Sequence, residues 1–385
     1  MQTRKQQLHL VIAGGGTGGH IQPAVAVLHV LRQRLASNIS VTWIGSGQGL
    51  ERQIAKQEHV PFYPILTGKL RRYLAWQMPF DLVKIPLGLL QAIVLLRRLR
   101  PHVVFGTGGY VSVPTVIAAG ILDIPAIIHE QTATVGLATQ LTAPFVRQIA
   151  LTYPQTAQWL GHFAHKATVT GLPLRPELFT GNASQALAHF QFTPQLPVLY
   201  ITGGSLGAHA LNLAVEQILP ELLHFTQVVH QCGPTAANHD YPRLRATRAA
   251  LPPALAARYQ VVEYVDSQVL PHLYAAAALV VSRAGANTVA ELAALGKPAI
   301  LIPLPGSAGN EQAGNAAILE QAGGAIVLPQ QDLTPQRLLS LIQTILNQPE
   351  QLAQMAERAQ RVARLDAAER LATLLLDYAS ASTSS

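Results

Sequence analysis

The apolar run Leu8–Ala13 ends in Gly14-Gly15-Gly16-Thr17-Gly18-Gly19-His20 and passes into a helical pattern over residues 21–36. Strand, glycine turn and helix N-terminus in that order make an anion site. The first N–H groups of a helix lack partners, and its dipole favours negative charge. Near the middle of the chain the pattern restarts. The run Val198–Thr202 leads through Gly203-Gly204-Ser205-Leu206-Gly207-Ala208-His209 into another helical stretch. Elsewhere strand-like runs (39–44, 103–105, 126–128, 261–266, 279–282 and 299–302) alternate with helical ones, as in parallel α/β sheets. The predicted fold is α/β, with two Rossmann-like doubly wound domains facing across a cleft. The expected boundaries are an N-terminal domain 1–178, a turn-rich linker 179–197, a C-terminal domain 198–365, and a last helix with a disordered tail over 366–385.

Gly14, Gly16 and Gly19 fit the dinucleotide fingerprint G-x-G-x-x-G. The second strand then ends in Gly45-Ser46-Gly47, where a dinucleotide fold would place an acid on the ribose 2′-hydroxyl. The nearest acid is Glu51, which counts against a twin-Rossmann NAD-dependent oxidoreductase. Two further strand ends carry clusters, Gly106-Thr107-Gly108-Gly109-Tyr110 and His129-Glu130-Gln131-Thr132. Ligands of open α/β sheets bind outside the carboxyl ends of strands, so these clusters are expected to line one crevice.

Charge is unevenly spread. Residues 1–178 hold 16 Lys and Arg against 6 Asp and Glu, and residues 179–385 hold 11 against 14. The first half is thus the one expected to meet an anionic partner. Within it, residues 68–100 mix basic side chains with Tyr73, Trp76, Met78, Phe80 and many Leu and Ile. A packed helix over 81–99 fits, preceded by a loop over 69–80 suited to an anionic membrane surface. The basic residues flank apolar ones without an aromatic-interleaved recognition motif, so nucleic acid is not an expected partner. No stretch reads as a spanning helix, and the N-terminal apolar run is too short for a signal peptide. One cysteine, Cys232, excludes a disulfide framework and fits a reducing, cytoplasmic setting.

GGTGGH (15–20), GGYVS (108–112), HEQ (129–131), GGSLGA (203–208), SRAGANTVAE (282–291) and EQAGNA (311–316), in this order, resemble the MurG family of peptidoglycan glycosyltransferases. The resemblance spans residues 14–324 and implies a GT-B fold. It implies metal-independent, inverting transfer of N-acetylglucosamine from UDP-N-acetylglucosamine to undecaprenyl-diphosphate-linked muramoyl-pentapeptide, and no cofactor is expected. The enzyme would sit peripherally on the cytoplasmic face of the membrane. The N-terminal domain would take the lipid acceptor and the C-terminal domain the nucleotide sugar. A related GT-B glycolipid enzyme with another acceptor is the alternative.

By that resemblance Glu291 accepts from the ribose hydroxyls, and Ala286, Asn287 and Thr288 line the nucleotide and its phosphates. On the residues alone, Thr288-x-x-Glu291 also reads as a capping box. Ser205 is either an N-cap or a donor-phosphate contact. Arg175 is expected to steady the departing diphosphate, with Arg283 either sharing that task or bracing its own loop. The Val265 backbone would read the uracil edge beside Tyr264. Gln312 would meet the sugar hydroxyls, although Glu311, standing where the family has His or Gln, leaves that choice open. On the acceptor side, Thr17, Gly18, Gly19 and Tyr110 line the substrate, and Thr132 stands where the family has Asn. His20 or Glu130 removes the proton from the attacking hydroxyl, unless Glu130 instead orients His20.

Overall fold

A computed structural model describes residues 7–16, 18–47, 49–68 and 78–381. They form two compact units, one running up to Arg175 and resuming at Arg364, the other spanning Pro176–Ala363.

The first unit carries strands β1 (Leu8–Ala13), β2 (Ile39–Ser46), β3 (Phe62–Ile65), β4 (Val103–Gly106), β5 (Ala126–Glu130), β6 (Gln148–Leu151) and β7 (Ala167–Val169). They pair in parallel in the order β3-β2-β1-β4-β5-β6-β7. Helices α1 (Gly18–Leu35), α2 (Leu50–Gln57), α3 (Met78–Leu99) and α4 (Gly109–Ile121) are among its crossovers. Side chains alternate across a strand. Leu10 and Ile12 therefore enter one core with Leu28, Trp43 and Phe105, while Val11 and Ala13 enter another with Leu96, Val104 and Val116. Helix α3 begins at Met78, so residues 78–80 of the expected loop are helical; residues 69–77 lie outside the described residues.

Two helices end the described residues, Pro349–Gln360 and Ala367–Ala381, the second being the last helix expected within 366–385. The second belongs to the first unit. Its Leu371, Ala372, Leu375 and Ala379 share one face and are buried in the core of Leu28 and Trp43. Glu369 pairs with Arg34, and the Tyr378 hydroxyl donates to Gln148 Oε1 at 3.2 Å. That helix runs through Ala381 and takes up most of the expected 366–385 segment.

The second unit carries β8 (Val198–Thr202), β9 (Gln227–Gln231), β10 (Tyr259–Val262), β11 (Ala277–Ser282), β12 (Ala299–Leu301) and β13 (Ala325–Val327). Their order is β10-β9-β8-β11-β12-β13, again parallel. The strand expected over 261–266 ends at Val262, after which Glu263 turns its carboxylate to the Thr235 N–H at 2.6 Å.

Both sheets reverse their strand order, at β1/β4 in the first and at β8/β11 in the second. A ligand crevice lies outside the carboxyl ends at such a switch point. Glycine turns singled out from the sequence follow β1, β4 and β8, and the motif SRAGANTVAE begins at the end of β11.

Candidate active site

In the first unit the turn after β1 is braced by Glu51, a fully buried acid at the start of α2. Its carboxylate accepts from the Gly16 N–H at 3.1 Å, the Ser46 N–H at 3.0 Å and the Ser46 hydroxyl. A Cβ on Gly15 would stand 2.3 Å from that carboxyl carbon, so only glycine leaves it room. The Gly16 amide is thus taken by a carboxylate, and α1 starts just beyond it, at Gly18.

His20 lies in the first turn of α1, its ring against the turn after β4. A Cβ on Gly108 would sit 3.1 Å from His20 Nδ1, and one on Gly109 3.0 Å from Cδ2. Burial holds the imidazole below its ordinary pKa; the Glu130 charge, the Thr107 carbonyl and the Gln131 side chain pull the other way. His129 is buried next to this group, with Nε2 2.9 Å from the Gly171 carbonyl oxygen. Its pKa is pushed down to about 4, chiefly by burial, with His20 contributing. His20 Nδ1, Thr107 Oγ1 and His129 Nδ1 are buried polar atoms with no hydrogen-bond partner among the described residues. Such atoms are rare in folded proteins and mark this buried cluster as a polar one.

Glu130 differs from His20. Its Oε1 accepts from the Thr132 N–H at 3.2 Å and the Thr132 hydroxyl at 2.8 Å, and its Oε2 from the Gly136 N–H at 2.9 Å. The neighbouring Gln131 donates Nε2 to the Thr107 carbonyl at 3.1 Å and ties the end of β5 to that of β4.

In the second unit Gly204 and Gly207, at φ +80° and +75°, close a turn whose Gly207 N–H meets the Gly204 carbonyl at 3.2 Å. Ser205 and Leu206 form its exposed tip. Beyond β11, helix Ala286–Ala294 starts with Gly285 as N-cap. Glu291 Oε2 accepts from the Tyr274 hydroxyl at 2.9 Å, and Asn287 Oδ1 is buried with no partner among the described residues. Gln231, at the end of β9, accepts from the Val265 N–H at 3.0 Å. Asn315 donates to the Ala284 carbonyl at 3.1 Å, and Gln312 Oε1 accepts from the Leu304 N–H at 3.0 Å.

Residues 10–151 match the glycosyltransferase family 28 N-terminal domain, and residues 198–371 the family 28 C-terminal domain. A protein of Lachnoclostridium phytofermentans is 39% identical over 339 residues, 88% of this chain and 90% of its own length. One of Geobacillus kaustophilus is 39% identical over 357 residues, 91% of this chain and 94% of its own. Both carry the name UDP-N-acetylglucosamine–N-acetylmuramyl-(pentapeptide) pyrophosphoryl-undecaprenol N-acetylglucosamine transferase. The crystal structure of Acinetobacter baumannii MurG superposes with a TM-score of 0.73 at 30% identity, covering 96% of this chain and 99% of that one. The chain belongs to the MurG family. A Neisseria meningitidis UDP-GlcNAc 2-epimerase, at TM-score 0.66 and 14% identity, shares the fold.

Within this MurG-family chain the structure corrects two helix-cap readings and gives the other expected residues the following surroundings. The capping box is not formed: Gly285 caps the helix, which puts Thr288 and Glu291 inside it. Ser205 is no N-cap either, because helix His209–Leu222 starts from Ala208. Val265 has its N–H already paired. Thr132 is bound to Glu130 through both its N–H and its hydroxyl. Arg283 is buried and donates to the Ile302 carbonyl at 3.1 Å, the Pro303 carbonyl at 3.3 Å and Gln330 Oε1 at 2.5 Å, so it braces its own loop. Arg175 is the last residue before the chain passes into the second unit and is half-buried. Tyr110, in the first turn of α4, has its ring edge 3.6 Å from the place a Cβ on Gly16 would take. Thr17 lies outside the described residues. Glu51, Gln231 and Tyr274 escaped the sequence reading. An isolated acid or amide carries no motif, and only Glu51, one turn past a glycine-ended strand, left a trace.

Proposed function

We infer that this chain is an inverting glycosyltransferase. It moves N-acetylglucosamine from UDP-N-acetylglucosamine to the 4-hydroxyl of undecaprenyl-diphosphate-linked muramoyl-pentapeptide, converting lipid I to lipid II in peptidoglycan synthesis. Membership of the MurG family at 39% identity over 88% of the chain carries this reading.

The second unit binds the donor. Glu291, which accepts from the Tyr274 hydroxyl, also takes the ribose hydroxyls, a task suited to a carboxylate with several lone pairs. The Val265 carbonyl meets the uracil edge beside the exposed Tyr264 ring. Ser205 and the amides of its turn receive the diphosphate, lined by Ala286, Asn287 and Thr288 and assisted by Arg175. Gln312 keeps its NH2 group for a sugar hydroxyl. The first unit binds the acceptor at Thr17, Gly18, Gly19 and Tyr110. In the reaction the acceptor oxygen bonds to the anomeric carbon as the bond to UDP breaks. The hydroxyl proton passes to neutral His20, and the departing electron pair stays on the diphosphate.

Association with an anionic membrane surface rests on α3. Among the described residues no helix is long and apolar enough to cross a membrane. Helix α3 nevertheless exposes Leu87, Leu90 and Val94, at 47%, 58% and 60%, ahead of exposed Arg97 and Arg98. Apolar side chains at a helical spacing with basic neighbours fit a leaflet boundary.

The test is release of UDP from UDP-N-acetylglucosamine, expected only when a lipid I analogue is present. Glu291→Ala should weaken UDP binding by a factor of about 10 or more, in line with the loss of a charge-assisted hydrogen bond. Full UDP affinity in that variant would move the donor site elsewhere.

A further inference from the structure

We propose that Gln231 is a positioning residue that locks the uracil-reading backbone and the diphosphate turn of the donor site into one register, and so sets selectivity for a uridine diphosphate. The proposal rests on the donor reading above.

Gln231 is buried at the carboxyl end of β9, and its amide makes three hydrogen bonds. Oε1 accepts from the Val265 N–H at 3.0 Å and from the Tyr200 hydroxyl at 3.3 Å. Nε2 donates to the Gly204 carbonyl at 3.1 Å. One planar group thus holds the residue placed at the base and the turn placed at the phosphates. An amide suits this because it joins a two-lone-pair acceptor to a donor; a carboxylate or an apolar side chain supplies only part of that set.

The residues after Gln231 back the same turn. The Cys232 carbonyl accepts from Asn212 Nδ2 and Asn238 Nδ2, each at 2.8 Å. It lies where any Cβ on Gly207 would fall, 2.0 Å away, so the turn rests directly on the end of β9. The network also reaches the ribose subsite. The Tyr200 ring meets the Tyr274 ring edge-on at 5.7 Å between centroids, and Tyr274 donates to Glu291. Base, diphosphate and ribose subsites are therefore joined through Gln231, Tyr200 and Tyr274. A buried amide that merely fills the core would have no reason to bond both Val265 and Gly204, which belong to different strand ends.

The experiment is calorimetric titration of the full chain with UDP, UMP and CDP at pH 8. Two ratios are read within each preparation, UDP over CDP for the base and UDP over UMP for the second phosphate, so a partly unfolded sample does not alter them. In Gln231→Met, which is close in length but cannot make the bonds, both ratios should fall tenfold or more. In Gln231→Glu the acceptor toward Val265 remains while the Gly204 carbonyl faces a carboxylate. There UDP over CDP should stay within twofold of the unchanged protein and UDP over UMP should fall tenfold. If Gln231→Met fails to fold, the split in Gln231→Glu decides alone. Unchanged ratios in Gln231→Met, or equal falls of both in Gln231→Glu, would overturn the proposal. If the unaltered protein shows no preference for UDP over CDP, the donor reading itself fails, whatever Gln231 does.

Discussion

A general base needs an oxygen or nitrogen free to take the proton, and both oxygens of Glu130 already accept from Thr132 and Gly136. His20 is held otherwise. Its ring is packed against Gly108 and Gly109, its Nδ1 lacks a partner among the described residues, and burial lowers its pKa. A lowered pKa keeps the imidazole neutral to more acid pH than the ordinary 6.5, so the base form persists through neutrality. Transferase activity should therefore decline on an acid limb centred below that value, as pH falls through the folded pKa. His20→Ala should cost roughly 10²–10⁴ in kcat and remove the limb. Glu130 exerts an upward pull on His20, so Glu130→Gln should move the limb to still lower pH while retaining measurable turnover. The check is kcat/KM against pH for the three proteins. A dead Glu130→Gln beside a nearly full-rate His20→Ala would reverse the two roles.

Among the elements, α3 is where a surface property can be separated from the chemistry. Leu87, Leu90 and Val94 stand on its exposed side, and their replacement disturbs neither core of the first unit. Leu90→Glu with Val94→Glu should lower partitioning onto vesicles containing anionic lipid about tenfold, because apolar burial is lost and like charge is added. Turnover of a short-chain, water-soluble acceptor should stay within twofold. Vesicle sedimentation and the soluble assay read the two effects, and unchanged sedimentation would take the membrane contact away from this helix. The elements also show what the sequence could carry. Apolar runs ending in glycine turns marked β1, β4 and β8, and the run over 279–282 leads into SRAGANTVAE after β11, so the strands at both switch points were legible. Short strands such as β7 (Ala167–Val169) and β13 (Ala325–Val327) owe their conformation to the neighbour they pair with and have no period of their own. The capping-box reading of Thr288 and Glu291 failed for a related reason. The chain enters that helix at Gly285, earlier than the box requires, because Arg283 and Asn315 hold the preceding loop. What Glu291 meets, the Tyr274 hydroxyl, comes from 17 residues upstream and no local pattern announces it.

On the scale of the whole molecule the chain crosses between its units at Arg175 and returns at Arg364. An amphipathic helix states that one face must be covered but does not name its cover, so the return was not readable from residues 366–385. Leu371, Ala372, Leu375 and Ala379 complete the core that contains Leu28, Trp43 and Phe105. Burying each leucine contributes roughly 1.5–3 kcal/mol, so losing the helix removes on the order of 5 kcal/mol from the first unit. That is comparable with the net stability of an ordinary domain. A chain ending at Ala363 should therefore show a lower or missing thermal transition for the first unit. The second unit keeps its own core of Leu199, Ile201, Val281 and Ile300 and should unfold near its usual temperature. Scanning calorimetry with and without UDP separates the two. UDP should raise the surviving transition, and its affinity for the shortened chain should fall by no more than about tenfold, as loss of the Arg175 contact allows, while transfer to the acceptor is lost. Loss of UDP binding together with the first transition would mean that the donor unit also depends on the returning helix, and that the two units do not fold as separate cores.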